Sequence, residues 1–507
     1  MKNWGEIVPV KIAIGRRGVT SDHSLATKVG IDVMDRGGNA FDAAIAVSAV
    51  LSVVQPQMGG PGGDAFLLGF IGEDVVVYTS AGRSPGGFKA EEFIEQSPLR
   101  GPLTVTVPGL VHLWGRIYEE YATLPLDVLL KPAIDLAYSG FYAGWFLGNA
   151  CTTYESELEK YAWSKYFKGV RTGVRVKNRD AAHTLRLIAS RGYDEFYYGE
   201  LAESIVDELQ DQGVNVGLDD FMKHKGAKVS PLKLEIDGKI LYEIPPSTQG
   251  ISTLQLISAL YELDLYREAF DSPSRIYKWS EPVARVYTFR DTYIGDPDYM
   301  NIDPQAYVKY SSIEDPTELK EAKPQRKYTS RDTTFFIVSD GDSIVGFIQS
   351  LFYPFGSGLV AGGFPVQNRA VGFAKRRDVP NSPGPNKTPL HTLSILAVDT
   401  DKQKFIIGCV GGDYRPQLHL RAYENLFVYN LPAAKAVEAP RFIYTKFYNK
   451  QEVIVEKTLT PPRGVESVEF KVVDYFSVPG HVHIGVLYED KIELVNDPRS
   501  EGVSLAV

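Results

Sequence analysis

Thr333 and Thr334 place two hydroxyl groups at the start of a predicted buried strand, directly after Asp332. A threonine hydroxyl is a poor nucleophile near neutral pH and needs a neighbouring base. The free α-amine of an N-terminal threonine could supply that base, since its ordinary pKa is roughly 7.7–8.0. An internal threonine has no such amine, so this chemistry requires cleavage of the Asp332–Thr333 bond. The expected products are a large piece, 1–332, and a small piece, 333–507.

Two further groups of residues could assist an attack on an amide carbonyl. Gly411 and Gly412 follow a predicted strand, where closely approaching backbone N–H groups could stabilise an oxyanion. Arg83 lies in a Gly- and Pro-containing loop after another predicted strand, and its guanidinium suits a substrate carboxylate. Each feature alone has an ordinary interpretation, namely a threonine at a strand edge, a tight turn and a solvated surface arginine.

Other motifs predict no further chemistry. The glycine-rich loop 59–63 lacks the lysine of a phosphate-binding loop and follows a predicted helix instead of preceding one. His481 and His483 share one face of a predicted strand, but no acidic or cysteine cluster is near them in the sequence, so we expect no metal site. Lys and Arg are scattered and the net charge is −9, which argues against a nucleic-acid partner.

Composition indicates a globular protein with a sizeable core. The chain has 507 residues, of which 44% are hydrophobic and 23% charged. Cys151 and Cys409 are too few for a disulfide framework or a zinc site, and we expect two buried reduced thiols. The first residues lack the pattern of a secretory signal, and the longest apolar stretch, 43–54, is too short to span a bilayer. These features predict a soluble cytoplasmic protein without membrane contact.

The distribution of predicted elements indicates a layered α+β protein. Helices are concentrated before Thr333 and strands after it. Ser24 is the predicted N-cap of a first helix that runs to Arg36. Asn39 is the predicted cap of a second helix, with Asp42 in the capping-box position, and this second helix is apolar on every face. We therefore expect that helix to be buried between layers. Residues 314–327 are polar and contain prolines, which predicts a mobile linker leading to Thr333.

Blocks along the chain together resemble the gamma-glutamyltransferase family. They occur in the order of that family and span nearly the whole sequence, so the joint match is specific although each block alone is weak. The blocks are GGNAFDAAIA at 37–46, GGDAF at 62–66, VPG at 107–109, YATLPL at 121–126, KPA at 131–133 with GF at 140–141, DTT at 332–334, FGSG at 355–358 and DPRS at 497–500.

The resemblance implies an N-terminal-nucleophile hydrolase, a four-layer αββα sandwich produced by self-cleavage. Residues 1–332 would be the large subunit and 333–507 the small subunit of one catalytic unit, which leaves a higher oligomer open. The family uses no cofactor, and its substrate is a small amide that carries a carboxylate. Residue by residue, the match makes Thr333 the nucleophile and Thr334 the threonine that supports it. Ser350 matches a hydroxyl implicated in self-cleavage, and Arg83 matches the arginine that holds the substrate carboxylate. The oxyanion-hole glycines match Gly411 and Gly412.

Two departures from the family bear on the substrate. Where the family has an acidic pair that grips the substrate α-amine, this chain has Val371 and Gly372. Where the family has a Ser-Ser pair, this chain has His391 and Thr392, which we expect to contact the substrate. Burying the substrate ammonium without an acidic partner would cost roughly several kcal/mol of binding free energy. The family implies action on gamma-glutamyl compounds such as glutathione. A divergent branch acting on smaller acidic amides such as oxamate, or an acylase, is the alternative.

A second class of function is also open at this point. A relative that keeps the fold but never cleaves itself would be a binding or structural protein. The two classes differ in one observable, since only the enzyme requires two fragments that meet at Thr333.

Overall fold

The computed structural model describes residues 11–313, 333–446 and 451–507. Asp332 and the predicted linker 314–327 lie outside these residues. The strands of the described residues, in chain order, are β1 Lys11–Gly15, β2 Gly18–Ser21, β3 Asp64–Ile71, β4 Asp74–Ser80, β5 Phe141–Tyr142, β6 Arg175–Val176, β7 Ala227–Lys228, β8 Leu232–Ile236, β9 Lys239–Glu243, β10 Thr333–Ser339, β11 Ser343–Ser350, β12 Val360–Ala361, β13 Phe364–Pro365, β14 Leu396–Asp399, β15 Lys404–Val410, β16 Phe442–Lys446, β17 Gln451–Glu456, β18 Val468–Val473, β19 His481–Leu487, β20 Ile492–Asn496 and β21 Val503–Ala506.

The α-helices of the same residues pack on the outer faces of the sheets or in the connections between strands. In chain order they are α1 Ser24–Asp35, α2 Ala40–Val54, α3 Ala90–Gln96, α4 Leu110–Tyr121, α5 Leu126–Ser139, α6 Trp145–Leu158, α7 Trp163–Phe167, α8 Arg179–Arg191, α9 Glu195–Tyr198, α10 Glu200–Asp211, α11 Leu218–Met222, α12 Gly250–Glu262, α13 Pro273–Lys278, α14 Ser280–Tyr293, α15 Arg415–Tyr423 and α16 Ala433–Glu438.

Two seven-stranded sheets form the centre of the molecule. One has the order β21-β2-β10-β11-β3-β4-β7 and the other β1-β20-β19-β15-β14-β9-β8. Both sheets take strands from before and after Thr333, so the two predicted regions build one unit. Because β10 pairs with β11 over its whole length, Thr333 lies opposite Ser350. Ser350 in turn lies opposite Asp64, the first residue of β3.

Three apolar layers hold the sheets and helices together. Along β10, Phe335 and Ile337 pack between the two sheets, whereas Phe336 and Val338 pack under the first helix layer. This alternation follows from the two-residue period of a strand that is buried on both faces. The second sheet and its helices, including α12 and α15, enclose the third apolar layer. The architecture is therefore the αββα sandwich that the family resemblance implies.

Helix α2 is the central helix of the first layer, as predicted. Every one of its residues is buried, and it packs against α1, α4, α5 and the strands β10 and β11. Asn39 caps it with a capping box formed with Asp42, which is also as predicted. The predicted cap of α1 is wrong, since the side chain of His23, not of Ser24, accepts the Leu25 N–H.

Two other predictions can be compared with the described residues. Cys151 and Cys409 are both buried and free, as predicted. Among the described residues, no helix combines the length and the apolar character needed to cross a membrane.

Candidate active site

The residues that the sequence nominates converge at one end of the two sheets. β10 begins there and its neighbour β11 ends there, because the two strands are antiparallel. β3 also begins there, while β2 and β15 end there. The side chains or backbone groups that these ends bring together belong to Asp22, Asp64, Thr333, Ser350 and Gly411.

Thr333 is the first residue of β10 and is buried. Its Oγ1 lies 3.3 Å from Oγ of Ser350, which also accepts the Phe352 N–H at 2.8 Å. The strand register therefore places the nominated nucleophile beside the hydroxyl that the family resemblance links to self-cleavage. A threonine on this strand alternates with its neighbour, so Thr334 points to the opposite face of the sheet.

Contacts between the sheets fix how β10 runs relative to β15. The ring of Phe335 packs on Gly408, where an added Cβ would lie 2.3 Å from the ring. Two residues further along β10, Ile337 lies against Gly485, which pairs with Ile406. Moving forward along β10 therefore corresponds to moving backward along β15. The two strands lie in facing sheets and run in opposite directions.

This direction places Thr333 against the end of β15. Stepping back two residues from the Phe335–Gly408 contact brings Thr333 to the level of Val410. Gly411 follows Val410 with an extended φ of 177°, and Gly412 has a φ of +51°, a left-handed conformation that favours glycine. The glycine pair is thus located where its backbone can face the Thr333 hydroxyl.

A network from the first part of the chain holds this glycine turn. Gln249 Nε2 donates to the carbonyl oxygens of Gly412 and Thr392, each at 2.8 Å. Arg290 Nη1 donates to Gln249 Oε1 at 2.8 Å and to Asp413 Oδ1 at 3.2 Å. Because both Gln249 and Arg290 are buried, these contacts fix the orientation of the turn and exclude water from its back.

Asp64 is a buried carboxylate at the centre of the site. Its Oδ1 accepts from Gly82 N, Gly109 N and Gln367 Nε2 at 3.0–3.1 Å, and its Oδ2 lies 3.1 Å from His391 Nε2. Burial raises the pKa of Asp64 to about 7, and the nearby charge of Arg369 opposes this shift.

His391 and Thr392, predicted to contact substrate, are both buried. His391 holds Asp64, and burial together with the charges of Arg369 and Arg415 keeps the pKa of His391 well below its usual range. The His391 backbone N–H donates a hydrogen bond to the Ser247 carbonyl oxygen, and the His391 carbonyl oxygen accepts one from the Gln249 N–H. In this arrangement His391 connects the Asp64 cluster to the glycine turn.

Arg83 lies beside an open cleft of about 240 Å³ that also contacts Phe66, Asp296 and Asp298. The Arg83 side chain is 48% exposed, and its Nη2 lies 2.7 Å from Asp298 Oδ2 while Nη1 lies 3.7 Å from Asp296 Oδ2. Nη1 also donates to the Asn386 carbonyl oxygen at 2.8 Å. A substrate carboxylate would have to compete with Asp298 for this guanidinium.

Thr334 lies next to an unpredicted buried cluster. Its Oγ1 donates to Asp22 Oδ2 at 3.0 Å, and Asp22 Oδ1 lies 2.7 Å from His481 Nε2 and 2.9 Å from His483 Nε2. No acidic cluster lies near these histidines in the sequence, but the fold brings Asp22, which follows β2, against His481 on β19, 459 positions away.

The ligand atoms of Asp22, His481 and His483 lie within 4.8 Å of one another, a spacing that could hold a metal ion. The hydrogen bonds favour a different arrangement. His483 Nδ1 accepts the Asp497 N–H at 3.3 Å, which assigns the ring proton to Nε2. A protonated Nε2 donates to Asp22 and cannot bind a metal.

Comparison with known proteins identifies the family of this chain. The gamma-glutamyltranspeptidase family model matches residues 26–507. The chain belongs to this family. It is an amide hydrolase or acyl transferase of the gamma-glutamyltranspeptidase type, and the family resemblance of its sequence blocks is confirmed.

Three similar proteins cover nearly the whole chain. The glutathione hydrolase-like YwrD proenzyme of Bacillus subtilis is 31% identical, over 96% of this chain and 98% of its own length. The oxamate amidohydrolase proenzyme of Klebsiella pneumoniae is 27% identical, over 95% of this chain and 97% of its own length. The crystal structure of cephalosporin acylase from Bacillus halodurans superposes with a TM-score of 0.86 at 25% identity, covering 100% of this chain and 99% of that one.

Sequence reasoning missed the residues that support the site. Asp64 stands inside the GGDAF block, so its position in a glycine-rich motif was an available signal. Asp22, Gln249 and Arg290 carry no local signal, because their partners are remote in the sequence.

Proposed function

We propose that this enzyme is made active by cleavage of the Asp332–Thr333 bond and that Thr333 is then its nucleophile. The observation that carries the proposal is the position of Thr333, at the first residue of β10, beside Ser350 and level with the start of the Gly411–Gly412 turn. The relatives named as proenzymes support it.

In the proposed reaction, Thr333 Oγ1 forms a bond to the substrate carbonyl carbon while its proton passes to the Thr333 α-amine. The carbonyl oxygen becomes an oxyanion that the backbone N–H groups of Gly411 and Gly412 stabilise. The C–N bond then breaks, and the departing amine takes the proton from the α-amine. This leaves an acyl ester on Thr333.

Water or an acceptor amine completes the cycle. Its attack on the ester carbonyl, with the Thr333 α-amine again as base, releases the acid or a new amide and restores the hydroxyl. Hydrolysis and transfer therefore differ only in the second nucleophile. The buried back of the site, formed by Gln249 and His391, keeps the turn fixed through both steps.

The proposed substrates are gamma-glutamyl compounds such as glutathione, with Arg83 holding the carboxylate. Val371 packs with Phe352 and Tyr353 in a small apolar cluster and offers no charge to an α-amine. Because this position lacks an acidic group, a smaller acidic amide of the oxamate type, or the amide of an acylase substrate, is the alternative.

Intact mass measurement of the purified protein tests the proposed cleavage. We expect two fragments that meet at Thr333, no cleavage in Thr333→Ala, and slow cleavage in Thr333→Ser, which retains a hydroxyl. A single chain that persists on long incubation and hydrolyses no amide would favour the unprocessed relative. Full activity of Thr333→Ala would refute the assignment of the nucleophile.

A substrate panel tests the proposed specificity. Gamma-glutamyl-p-nitroanilide, oxamate and an acylated cephalosporin would be compared by kcat/KM. Arg83→Lys is the matched variant, because it keeps the charge but loses the bidentate fork. Preference for the glutamyl substrate that falls in Arg83→Lys supports the proposal, whereas equal activity of both forms on all substrates contradicts it.

The proposal includes an assembly in which pieces 1–332 and 333–507 stay together after cleavage, since each sheet contains strands of both. We also propose that the enzyme acts in the cytoplasm. Cell fractionation with an antibody against the chain checks the location, and size-exclusion chromatography with mass detection checks the assembly.

A further inference from the structure

Asp22 continues the edge of the sheet beside the first residues of β10. β2 pairs with β10 only at Ile337, Val338 and Ser339. Extending the same register by two residues brings Asp22 opposite Phe335. At this position the Asp22 side chain, instead of a backbone carbonyl of β2, accepts hydrogen bonds from β10. Asp22 Oδ2 accepts the Phe335 N–H at 3.3 Å and the Thr334 hydroxyl at 3.0 Å.

The same carboxylate receives two imidazole donors on its other oxygen. His481 Nε2 and His483 Nε2 lie 2.7 Å and 2.9 Å from Asp22 Oδ1, and all three side chains are buried. Burial alone would raise the pKa of Asp22, but the two histidines lower it well below its usual range. The carboxylate therefore stays ionised, with donors on both oxygens.

Residues near the end of the chain orient this cluster. The Asp497 N–H donates to His483 Nδ1, so the His483 proton is on the nitrogen that faces Asp22. Asp497 is itself held by Arg441 Nη2 at 2.6 Å and by Arg499 Nη1 at 3.1 Å. The DPRS block at 497–500 therefore orients the His483 ring, and the His483 ring in turn orients the Asp22 carboxylate.

We propose that Asp22, oriented by His481 and His483, is the positioning residue that holds the start of β10, and with it the Thr333 nucleophile, in the cleaved enzyme. The inference rests on the proposed function. Cleavage would make Thr333 a chain end, and chain ends lose order unless they are tied down.

The register shows what would tie this end down. Ser350 holds one edge of β10 at Thr333. Asp22 holds the other edge of β10 at Thr334 and Phe335, one and two residues after Thr333. Asp22 belongs to piece 1–332, whereas β10 belongs to piece 333–507. A displacement of about 1 Å at a nucleophile can cost about 10²-fold in rate, so the loss of this anchor should appear in kcat.

Substitutions at Asp22 and the histidines separate hydrogen bonding from simple packing. Asp22→Asn keeps the shape but turns one acceptor oxygen into a donor that faces other donors. His481→Gln and His483→Gln keep an N–H donor for Asp22, whereas His481→Leu and His483→Leu remove it. The charged or titratable groups around Asp22 that any pH profile must consider are Lys11, His23, His481, His483 and Glu501.

The expected result is a loss of kcat with little change in KM. Asp22→Asn should lower kcat by about 10²-fold per cleaved chain, and the leucine variants should do the same. The glutamine variants should retain most of the wild-type kcat. Rates are divided by the amount of fragment 333–507 found by intact mass, so slower cleavage is scored separately from slower turnover.

Glu424→Gln is the matched structural control. Glu424 is a buried carboxylate paired with Arg275 at 2.7 Å and Arg421 at 2.8 Å, under the other helix layer. We expect this variant to have a lower thermal midpoint but the wild-type kcat per cleaved chain. A fall of kcat in Glu424→Gln equal to that in Asp22→Asn would show a general effect of destabilisation and overturn the inference.

Other outcomes also overturn it and leave the proposed function intact. Wild-type kcat in the leucine variants would do so. One metal ion per wild-type chain, absent from Asp22→Asn and from the glutamine variants, would instead assign a metal site to this cluster. An uncleaved wild type, or an active Thr333→Ala, would be a failure of the proposed function itself. If Asp22→Asn does not fold, the kcat of the glutamine variants of His481 and His483 is compared with that of the leucine variants, and this comparison decides.

Discussion

Replacing Asp64 is expected to affect both the stability and the rate of this enzyme. The Asp64 carboxylate accepts from Gly82 N, Gly109 N and Gln367 Nε2 on one oxygen and faces His391 Nε2 with the other. Asp64→Ala leaves four buried donors without this acceptor. At about 1–3 kcal/mol for each unsatisfied group, the total is on the order of 4–12 kcal/mol.

That loss is comparable with the whole stability of a folded domain, about 5–15 kcal/mol. We therefore expect Asp64→Ala to be recovered poorly or unfolded. Asp64→Asn can still accept on the oxygen shared by three donors, and it loses mainly the contact with His391. Its cost should be about 1–3 kcal/mol, and it should fold with a lower thermal midpoint.

Asp42 provides a matched control. It is also a buried carboxylate that accepts backbone N–H groups, from Asn39, Thr123 and Leu124. It lies at the far end of the sheet, since the N–H of Ala40, two residues before it, donates to Asp340 in the β10–β11 turn. Asp42→Asn should lower the thermal midpoint by a similar amount without changing kcat per cleaved chain.

The assay combines thermal unfolding with steady-state rates divided by the amount of cleaved chain. Asp64→Asn should lower kcat because His391, which connects the Asp64 cluster to the Gly411–Gly412 turn, loses its contact with the second carboxylate oxygen. The reasoning would be refuted if Asp64→Ala were as stable as the wild type. It would also be refuted if Asp64→Asn and Asp42→Asn had the same kcat.

The pH dependence gives a second test of Asp64. Burial raises its pKa to about 7 from an ordinary value of 3.8, so the folded protein binds this proton more tightly than the unfolded chain. Its contribution to stability is therefore full below about pH 4 and is lost as the pH rises through about 7. The thermal midpoints of wild type and Asp64→Asn should differ more at pH 5 than at pH 8. A difference that grows with pH would contradict the shift.

Three further predictions concern the neighbouring residues. Gln249→Leu removes the donor of the Gly412 carbonyl and should lower kcat more than it raises KM, since the oxyanion turn loses its support; an unchanged kcat would exclude this role. Gly82→Ala would place a Cβ 1.4 Å from the Val107 carbonyl oxygen, so it should fail to fold or lose substrate binding, and a variant with wild-type KM would contradict the loop packing. Activity should fall on the acid side as the Thr333 α-amine becomes protonated, with an apparent pKa of roughly 7–8, and a flat rate profile between pH 6 and 9 would argue against that base.

Local sequence signals were sufficient where the structure depends on neighbours in the chain. The capping box of Asn39 and Asp42 and the burial of α2 follow from residue type and periodicity alone. The N-cap of α1 was misassigned to Ser24, because both Ser24 and His23 can accept a backbone N–H and only the backbone angles decide between them.

The catalytic candidates were visible for a different reason. Thr333, Gly411 and Arg83 stand in short segments whose residue types suit acyl transfer, and the order of the blocks identified the family. The partner of Arg83 was not visible, because Asp298 follows it by 215 positions. The structure, not the sequence, shows a carboxylate already at this guanidinium.

The sequence by itself determined the family and the layered α+β architecture and nominated Thr333 as the nucleophile, since these depend on residue type, local periodicity and the order of motifs. Only the tertiary structure decided what holds Thr333 in place. Asp22, Asp64 and Gln249 act through hydrogen bonds to groups far away in the chain, and the strand register and the stacking of two sheets create those contacts. No periodicity along the sequence records which strand ends meet, so this support became visible only in three dimensions.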